Sequence, residues 1–491
     1  MELKSASKMK IGFISSEIYP FSKTGGLADV AFALGKYLAI NGHDIRLITP
    51  LYSSIDTKRY PLKRLKEITE VNLWFGSQKY SFTVYIGLIP QSKAMIYFIH
   101  CPVLYDRGAL YTNDPDEHIR FGLLNRAALE LCQKLQWSPD IFHLNDWQTG
   151  LLPVYLKTIY NWDRLFDQCR TVMTIHNIGY QGRFKAHVIN DLSLSEYHQW
   201  FDSSDLYHGH LNFLRTGLLH ADKITTVSET YAREIQTADF GEGLQDILQG
   251  RAQDLVGILN GVDYETWNPQ TDPWISKKYS INRLKDKKEN KKFLVERLGL
   301  SYSKNTPLIG MVTRLAGQKG IELLDGGLQR LFAEHDVQLI ILGSGEQHFE
   351  RVLYQLQLSY PRQMVFYRGY DTELSHQIEA GADIFLMPSK YEPCGLNQIY
   401  SLKYGTVPVV RKTGGLADTV DLYDWKTQKG TGFVFEHFSI KGMYWALDYA
   451  INTFKYPEIW KKIMKQAMNK DFSWQKQIKH YENLFESIIQ E

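Results

Sequence analysis

The 491-residue chain contains only four cysteines, and no two of them stand in a CxxC pair. This scarcity argues against a fold held together by disulfides and predicts free thiols in a reducing compartment. HExxH sequences, histidine–cysteine clusters and carboxylate pairs at metal-ligand spacing are absent as well, so the sequence predicts no metal site. The GxSxG sequence that places a hydrolase serine on a sharp turn is also missing.

The chain also has little excess charge and no long apolar run. A formal net charge of +2 gives no reason to expect nucleic acid or an acidic membrane surface as a partner. The uninterrupted apolar runs are about as long as strands, far below the ~20 residues that a membrane-spanning helix needs. The first ten residues, MELKSASKMK, lack the apolar stretch of a secretory signal, so we expect a cytoplasmic protein without membrane partners.

What the sequence does contain is a regular alternation of short apolar runs and helical patterns. The chain is too long for one ordinary core, so two or more domains are expected. In the first half, helical patterns cover 27–40 and 119–135, and strand-like runs occupy 11–14, 45–48, 95–99, 140–144, 171–175 and 223–227. This alternation is typical of a mostly parallel sheet covered by helices. The same rhythm resumes later, with runs at 307–313, 337–342, 364–367, 383–387 and 407–410.

The stretch between the two halves predicts a domain boundary. Turn-forming pairs such as Asn-Gly and Asn-Pro place a hinge near 256–262. The lysine-rich segment at 285–292 is interpreted as a solvent-exposed face. From about residue 474 the tail has the pattern of an amphipathic helix. We therefore predict an α/β protein whose parts are an N-terminal domain at 1–256, a C-terminal domain at 257–472 and a final helix at 473–491.

One heptapeptide, KTGGLAD, occurs twice, at 23–29 and at 412–418. A short apolar run precedes each copy and an apolar-periodic segment follows it, so each copy predicts a strand, a Gly-Gly turn and a helix. Backbone amides at such a helix N-terminus favour an anion, and Lys23 and Lys412 add positive charge. The alternative, a tight strand-to-helix turn without a ligand, stays open.

Polar side chains recur directly after the predicted strands of both halves. Open α/β sheets bind their ligands beyond the carboxyl ends of the strands, so these side chains are candidates for a site. The candidates are Lys23, Asn145, Asp146, Trp147, His176, Asn177, Ser228, Glu229, Arg314, Gln318, Lys319, Gly343, Gly345, Glu346 and Glu392.

Four of these residues, in three motifs, suggest specific chemistry. Arg314 and Lys319, five residues apart across a turn, suit a diphosphate and would stabilise it as it leaves with added charge. Glu392, in the EPCGL turn, can bond sugar hydroxyls or steady positive charge on a sugar ring. His176 follows a strand and has polar neighbours. For each of these positions a structural role stays open: a surface basic pair, an acid at a helix N-terminus and a buried histidine. Cys394 has no base near it in sequence, which argues against a thiol nucleophile.

These candidates lie within longer stretches that are characteristic of one family. The stretches include SSEIYPFSKTGGLADV (15–30), HLNDW (143–147), TIHNIGYQG (174–182), TRLAGQKG (313–320) and a long run at 369–420. On these stretches the chain resembles bacterial glycogen synthases and plant starch synthases, the glucosyltransferases that use ADP-glucose, over almost its whole length. The resemblance implies two Rossmann-like domains that face each other across a cleft, the GT-B architecture, with the last helix returning to the N-terminal domain.

The resemblance also implies roles for residues of the N-terminal domain. Lys23 and the turn of Gly25 and Gly26 would reach the diphosphate of the donor. His176 would lie at the reacting sugar, with Asn177 as a further substrate contact. Asp146 would face the junction of donor and acceptor.

In the C-terminal domain, Arg314 and Lys319 would hold the same phosphates, and Tyr370 would stack on the adenine. Glu392 would bind the transferred glucose. The remaining substrate contacts implied by the resemblance are Gln318, Cys394, Gly395, Leu396 and Thr413.

The reaction implied by the resemblance transfers glucose from ADP-glucose to the non-reducing end of an α-1,4-glucan such as glycogen or a maltooligosaccharide. It retains the α-configuration and needs neither a metal nor a cofactor. Two alternatives stay open: an enzyme that uses UDP-glucose, and a catalytically silent glucan-binding regulatory protein.

The chain departs from the family at one segment. Many members read HxHDWH, whereas here Asn145 and Gln148 replace two histidines. Both side chains can still hydrogen-bond a sugar hydroxyl, but neither can hold a proton near neutral pH. The pH profile and the handling of the acceptor are therefore where this chain is expected to differ.

Overall fold

A computed structural model of the chain describes residues 8–490. The first seven residues lie outside this range. The expectation that MELKSASKMK is not a secretory signal therefore falls mostly on residues that are not described. The chain forms two compact units. The first comprises 8–227, Ala232–Ile258 and 474–490, and the second comprises Ser228–Tyr231 and Leu259–Ser473. Within residues 8–490, no helix combines the length and the apolar character that crossing a bilayer requires.

The strands up to residue 258 are numbered β1 to β12 in chain order. They span Lys10–Ile14, Asp44–Pro50, Lys63–Arg64, Val71–Phe75, Gln78–Leu88, Met95–His100, Ile141–Asn145, Arg170–Ile175, Arg183–Lys185, His210–Asn212, Lys223–Thr226 and Leu255–Gly257. The helices of the same stretch, α1 to α9, span Gly26–Ile40, Pro102–Tyr105, Glu117–Lys134, Leu152–Lys157, Val188–Asp191, Ser203–Tyr207, Phe213–His220, Glu229–Glu234 and Gln245–Gly250.

The first unit is built on a ten-stranded sheet in the order β12-β11-β8-β7-β1-β2-β6-β5-β3, with β4 paired to β5. From β12 to β6 all neighbours are parallel, and the six strands predicted for this half are confirmed. Every residue of β7 is buried, as expected of a central parallel strand covered on both faces. The predicted face of α1 is buried as well, at Leu27, Val30, Ala31, Leu34 and Leu38.

The antiparallel edge of this sheet was not predicted. Strand β5 pairs antiparallel with β6, β3 and β4. Burial along β4 alternates residue by residue, as in a strand with one solvated face. The same alternation of apolar and polar residues begins VNLWF at Val71–Phe75, so this strand could have been predicted from the sequence.

The last helix, α18, spans Trp474–Gln490 and belongs to the first unit, as predicted. The buried rings of Tyr481 and Phe485 lie 5.7 and 5.6 Å from the His143 ring, between centroids. Glu482 Oε1 lies 3.0 Å from His43 Nε2 and accepts a hydrogen bond of 2.8 Å from Asn41 Nδ2. The apolar face of the helix thus completes the core under β7.

The second unit has a six-stranded parallel sheet in the order β15-β14-β13-β16-β17-β18. Strands β13 to β18 span Leu308–Leu315, Gln338–Gly345, Met364–Arg368, Ile384–Met387, Val407–Arg411 and Phe433–Phe435. All five predicted strands are confirmed, and β18 was missed. Helices α10 to α17 span Lys287–Arg297, Leu324–Glu334, Gln347–Ser359, Thr372–Gly381, Asn397–Tyr404, Gly414–Thr419, Ile440–Phe454 and Pro457–Met468. Because helices alternate with the strands of a mostly parallel sheet in the first unit and of a parallel sheet in the second, the predicted α/β fold class is confirmed.

The interpretation of 285–292 as a solvent-exposed face is wrong for two of its lysines. Lys287 Nζ donates to the carbonyl oxygens of Glu379 at 3.2 Å and Ala380 at 2.7 Å, where α13 ends. One turn further along α10, Lys291 Nζ donates to Thr306 O at 2.7 Å and lies 2.6 Å from Asp383 Oδ2. Both side chains are buried. Positions four apart share a helix face, and this face packs on carbonyl groups that the lysines satisfy.

Candidate active site

A cavity of about 190 Å³ lies at the carboxyl ends of β13 and β16 in the second unit. Five residues predicted from separate motifs line it together: Arg314, Lys319, Glu392, Gly395 and Leu396. The position agrees with the rule that open α/β sheets bind ligands beyond the carboxyl ends of their strands. The second unit therefore brings two cations and one carboxylate to a single opening.

The carboxylate of Glu392 is held by two neighbouring side chains. Lys319 Nζ donates to Glu392 Oε2 at 2.6 Å and to Oε1 at 2.9 Å, and Ser389 Oγ donates to Oε2 at 2.9 Å. Glu392 is only 5 % exposed, so these donors replace the water that its charge would otherwise need. The pair is a charge-assisted contact, short and fixed in direction.

Backbone packing brings Lys319 to this position. The turn at Gly317–Lys319 ends at Gly320, whose φ is +70° and where a Cβ would lie 2.1 Å from Pro388 O. Only glycine fits so close to that carbonyl. Lys390 N donates to Gln318 O at 2.8 Å and ties the same turn to the 388–392 loop. The sequence QKG therefore sets the distance between the two charged side chains.

The second KTGGLAD copy supports the Glu392 loop from beneath. Gly415 N donates to Glu392 O at 3.1 Å, and a Cβ on Gly415 would lie 2.0 Å from Cys394 O. Gly414 has a φ of +43°, and a Cβ on it would lie 1.9 Å from Glu392 O. Thr413 is fully buried at the start of α15. In this copy the glycines are required by backbone packing.

The charged ends of the second copy have partners of their own. Lys412 Nζ lies 2.7 Å from Glu436 Oε1 at the surface. Asp418 Oδ2 accepts a hydrogen bond of 2.9 Å from Thr230 N. Lys412 is not among the residues that line the 190 Å³ cavity.

The first KTGGLAD copy has different surroundings in the first unit. A Cβ on Gly25 or Gly26 would meet nothing within 4 Å. Lys23 Nζ lies 2.8 Å from Asp29 Oδ2, within the same heptapeptide. Open space at both glycines leaves room for a ligand to approach the backbone.

Sequence reasoning missed Glu17, whose carboxylate reaches the turn that precedes α1. Its carboxylate accepts hydrogen bonds from the backbone N–H of Thr24 and, at 3.3 Å, from that of Gly25. Tyr111 Oη donates to Glu17 Oε1 at 3.2 Å. A side chain of the protein thus supplies a negative charge that the predicted turn favours. The signal in the sequence was weak, a single acid eight residues before Gly25.

Asp146 and His176 meet in the first unit, after β7 and β8. Asp146 Oδ1 accepts a hydrogen bond of 2.8 Å from His176 N. Asp146 has a φ of +55° and a ψ of −176°, a conformation that is rare outside glycine and is found mostly at functional sites. Burial raises the pKa of Asp146 to about 7, while the backbone N–H groups of His176 and Asn177 oppose that rise.

The His176 ring is held by Asn145, the last residue of β7. His176 Nε2 lies 2.9 Å from Asn145 Oδ1. Burial lowers the pKa of His176 to about 3, so its imidazole is neutral in the physiological range.

Asn145, whose amide could hydrogen-bond a sugar hydroxyl, has its polar atoms inside the protein instead. Its side chain is fully buried, and its Nδ2 donates to Ile14 O at 2.9 Å and to His143 O at 3.3 Å. Since Oδ1 faces His176, both polar atoms of Asn145 are engaged inside the protein. Gln148 is also buried, at 5 % exposure.

Of the other predicted contacts, two remain open to a ligand and two are engaged or buried in the protein. Tyr370, 79 % exposed after β15, and Asn177, whose Oδ1 accepts from Gly179 N at 3.0 Å, remain open to a ligand. Gln318 Nε2 donates to Tyr391 O at 3.3 Å. The Cys394 thiol is buried, and burial raises its pKa to about 12, which agrees with the expectation that it is no nucleophile.

The short glycine loop at Gly343 and Gly345 has a packing role. A Cβ at these positions would lie 2.1 Å from Thr313 O and 2.2 Å from Leu315 O of the paired strand β13. Both glycines are thus explained without a phosphate. In residues 8–490, no group of three or more histidine, cysteine or acidic side chains is arranged to hold a metal ion.

Comparisons with known families cover both units. The family described as "Starch synthase catalytic domain" matches residues 10–250, and the family described as "Glycosyl transferases group 1" matches residues 297–467. The two matches lie on either side of the boundary at Ile258 and Leu259.

Relatives match the whole chain. A glycogen synthase of Thermotoga maritima is 42 % identical over 486 residues, which covers 98 % of this chain and 99 % of the relative. A glycogen synthase of Syntrophotalea carbinolica is 43 % identical over 487 residues, with the same coverage.

Among solved structures, the catalytic domain of starch synthase IV from Arabidopsis thaliana, bound to ADP and acarbose, superimposes with a TM-score of 0.90. It is 34 % identical, and the match covers 99 % of this chain and 100 % of that one. Sucrose-phosphate synthase from Thermosynechococcus elongatus has a TM-score of 0.60 at 16 % identity, a likeness of fold alone.

Proposed function

The chain belongs to the family of glycogen and starch synthases, which are glucosyltransferases of the GT-B fold, and on that premise we propose that its donor is ADP-glucose. The glucose would be added to the non-reducing end of an α-1,4-glucan with retention of the α-configuration. The relative from Arabidopsis thaliana, bound to ADP and acarbose at 34 % identity, supports both the nucleotide and the glucan.

The observation that carries this proposal is the cavity that Arg314, Lys319 and Glu392 line together. Two cations suit the diphosphate of a nucleotide sugar, and negative charge on that diphosphate grows as the bond to glucose breaks. Groups that bind the growing charge lower the barrier, because they bind the transition state more tightly than the substrate. Glu392, fixed by Lys319 and Ser389, is the acceptor for hydroxyl groups of the glucose.

Lys319 has a second role in this arrangement. It donates to both carboxylate oxygens of Glu392, so it neutralises the charge that would otherwise repel a phosphate from the cavity. A diphosphate that draws the ammonium group of Lys319 toward itself leaves the carboxylate of Glu392 less neutralised. That carboxylate can then stabilise a sugar ring that is becoming positive. The ion pair thereby links the state of the leaving group to that of the sugar.

In the first unit, we assign the contacts to the sugar to Asp146, His176 and Asn177, and a contact to the donor's diphosphate to Lys23. The neutral His176 can accept a hydrogen bond from a sugar hydroxyl without carrying charge. Gly25 and Gly26 leave space for the donor's phosphates to approach the backbone. Tyr370 offers an exposed ring for the adenine. No step assigned here uses a metal or a cofactor.

Glucose incorporation into glycogen, measured from ADP-glucose and UDP-glucose in parallel, tests the proposal. We expect ADP-glucose to give the higher kcat/KM, with no loss of rate in excess EDTA. A tenfold preference for UDP-glucose would overturn the donor assignment. Glycogen binding without turnover from either donor would point to the silent glucan-binding protein instead.

A further inference from the structure

The amide group of Asn145 can take only one orientation. Its Nδ2 faces the carbonyl oxygens of Ile14, at 2.9 Å, and of His143, at 3.3 Å. Carbonyl oxygens only accept hydrogen bonds, so the NH₂ group must lie on their side. Turning the amide over would place its oxygen against two other oxygens and bury them without a donor. Oδ1 therefore faces His176 as an acceptor.

That orientation decides which nitrogen of His176 carries the proton. Nε2 lies 2.9 Å from Asn145 Oδ1, which has no hydrogen to offer. Nε2 must then be the donor, and a neutral imidazole with its proton on Nε2 has a bare Nδ1. The backbone fixes the rest of the residue, because His176 N donates to Asp146 Oδ1 at 2.8 Å.

An imidazole in place of Asn145 would not impose this choice. Each nitrogen of an imidazole can donate or accept, depending on its tautomer, so two neighbouring rings can exchange roles. A primary amide whose NH₂ group is already committed offers only an oxygen. Asn145 in place of a histidine thus leaves the His176 ring only one tautomer.

We propose that Asn145 is a positioning residue that holds His176 in the tautomer protonated at Nε2, and that Nδ1 is thereby an obligate acceptor for a hydroxyl group of the bound sugar. The second half of this proposal rests on the proposed function. A fixed acceptor orders the hydroxyl before the reaction, so the site does not have to select one of two tautomers when the sugar binds. Asn145 touches no substrate and acts through His176 alone.

The tautomer can be measured directly by NMR on protein labelled with ¹⁵N-histidine. The His176 ring is assigned as the one whose signals disappear in His176→Gln. We expect the wild type to show a protonated Nε2 and a bare Nδ1. Asn145→Leu, which has no acceptor for Nε2, should show a mixture of tautomers.

The matched control is Asn125→Leu. Asn125 is also fully buried in the first unit, and its Nδ2 also donates to two backbone carbonyls, those of Phe121 and Gln148. Replacing it should disturb packing to a similar extent without changing the His176 signals. Should Asn145→Leu fail to fold, Asn145→Ser, whose side chain is too short to reach the ring, takes its place. A wild-type Nδ1 that carries the proton, or an unchanged ring in Asn145→Leu and Asn145→Ser, would overturn the proposal.

A double-mutant cycle tests the link to the reaction. We expect Asn145→Leu to lower kcat at least tenfold in the wild type but to have no further effect in His176→Ala. Asn125→Leu should change kcat by the same factor in both backgrounds. If Asn145→Leu also lowered kcat by the same factor in the wild type and in His176→Ala, Asn145 would not act through His176. If neither nucleotide sugar supports turnover, the proposed function fails, while the NMR result still decides the tautomer.

Discussion

Lys319 Nζ lies 2.6 Å from Glu392 Oε2, so a cation predicted to bind phosphate and a carboxylate predicted to bind sugar form one ion pair. Their motifs are 73 residues apart in the chain. With side chains only 17 % and 7 % exposed, the pair lies out of reach of most solvent screening.

Replacing either member of the pair should lower kcat by about 10²-fold, the effect of removing one charge-stabilising group. Because each single variant also leaves the other charge unpaired, Lys319→Ala combined with Glu392→Ala should lose less than the product of the two single losses. Initial rates of glucose incorporation measure this. Lys461→Ala, an exposed lysine of α17, is the control and should keep the wild-type rate. Wild-type turnover in Lys319→Ala or Glu392→Ala would refute the assigned roles.

The acid side of the pH profile should report Asp146. Since burial raises its pKa to about 7, this carboxyl is ionised above that pH and protonated below it. The ionised form is the better acceptor for the N–H of His176, so kcat/KM should fall as the pH drops through about 7. His176 should add no limb in this range, because burial lowers its pKa to about 3. Asp146→Asn should retain a low activity without the limb; a limb that persists there belongs to another group.

The two copies of KTGGLAD should respond differently to one substitution. Gly415→Ala places a Cβ 2.0 Å from Cys394 O, and we expect it to lower the free energy of unfolding of the second unit by more than ~2 kcal/mol. Gly25→Ala places its Cβ in open space at a φ of −150°, so stability should change by less than ~0.5 kcal/mol. If the donor approaches Gly25, its KM rises in that variant. Thermal melts and donor KM values for both variants decide this, and equal melting temperatures would contradict the packing role.

Two adjacent lysines of α10 should differ in the same way. Lys287→Ala leaves the buried carbonyl of Ala380 without its Lys287 donor, while the carbonyl of Glu379 keeps a donor in the Thr406 hydroxyl, so the free energy of unfolding should fall by about 1–3 kcal/mol. Lys288 is exposed, and Lys288→Ala should change it by less than ~0.5 kcal/mol. Denaturant unfolding of both variants compares them. A similar midpoint for the two would mean that burial of Lys287 adds nothing to stability.

The sequence predicted the parts of the fold that depend on local pattern. Period and length identified the central parallel strands of both sheets and the buried face of α1, because these signals repeat within a few residues. Motif reasoning brought Arg314, Lys319 and Glu392 to one edge of the second sheet, because parallel strands end at a common edge.

The errors concern contacts between distant segments. Nothing near Lys287 in sequence indicates that its partners lie about 92 residues away, where α13 ends. Asn145 was a candidate because it comes directly after a predicted strand, but its partners are Ile14, at the end of another strand, and His176, which follows a third. Polar residues at a strand end can face the ligand or brace a residue that does, and only the register between strands decides which.

The carboxylate of Glu17 at the start of α1 has a further consequence. With a resident anion already satisfying the N–H groups of Thr24 and Gly25, the turn of the first KTGGLAD copy needs no guest to keep its shape. A nucleotide sugar that reaches Lys23 would find this loop preorganised, and would not spend binding free energy on ordering it. The affinity for the donor would then depend on direct contacts alone, and not on a folding step of the loop.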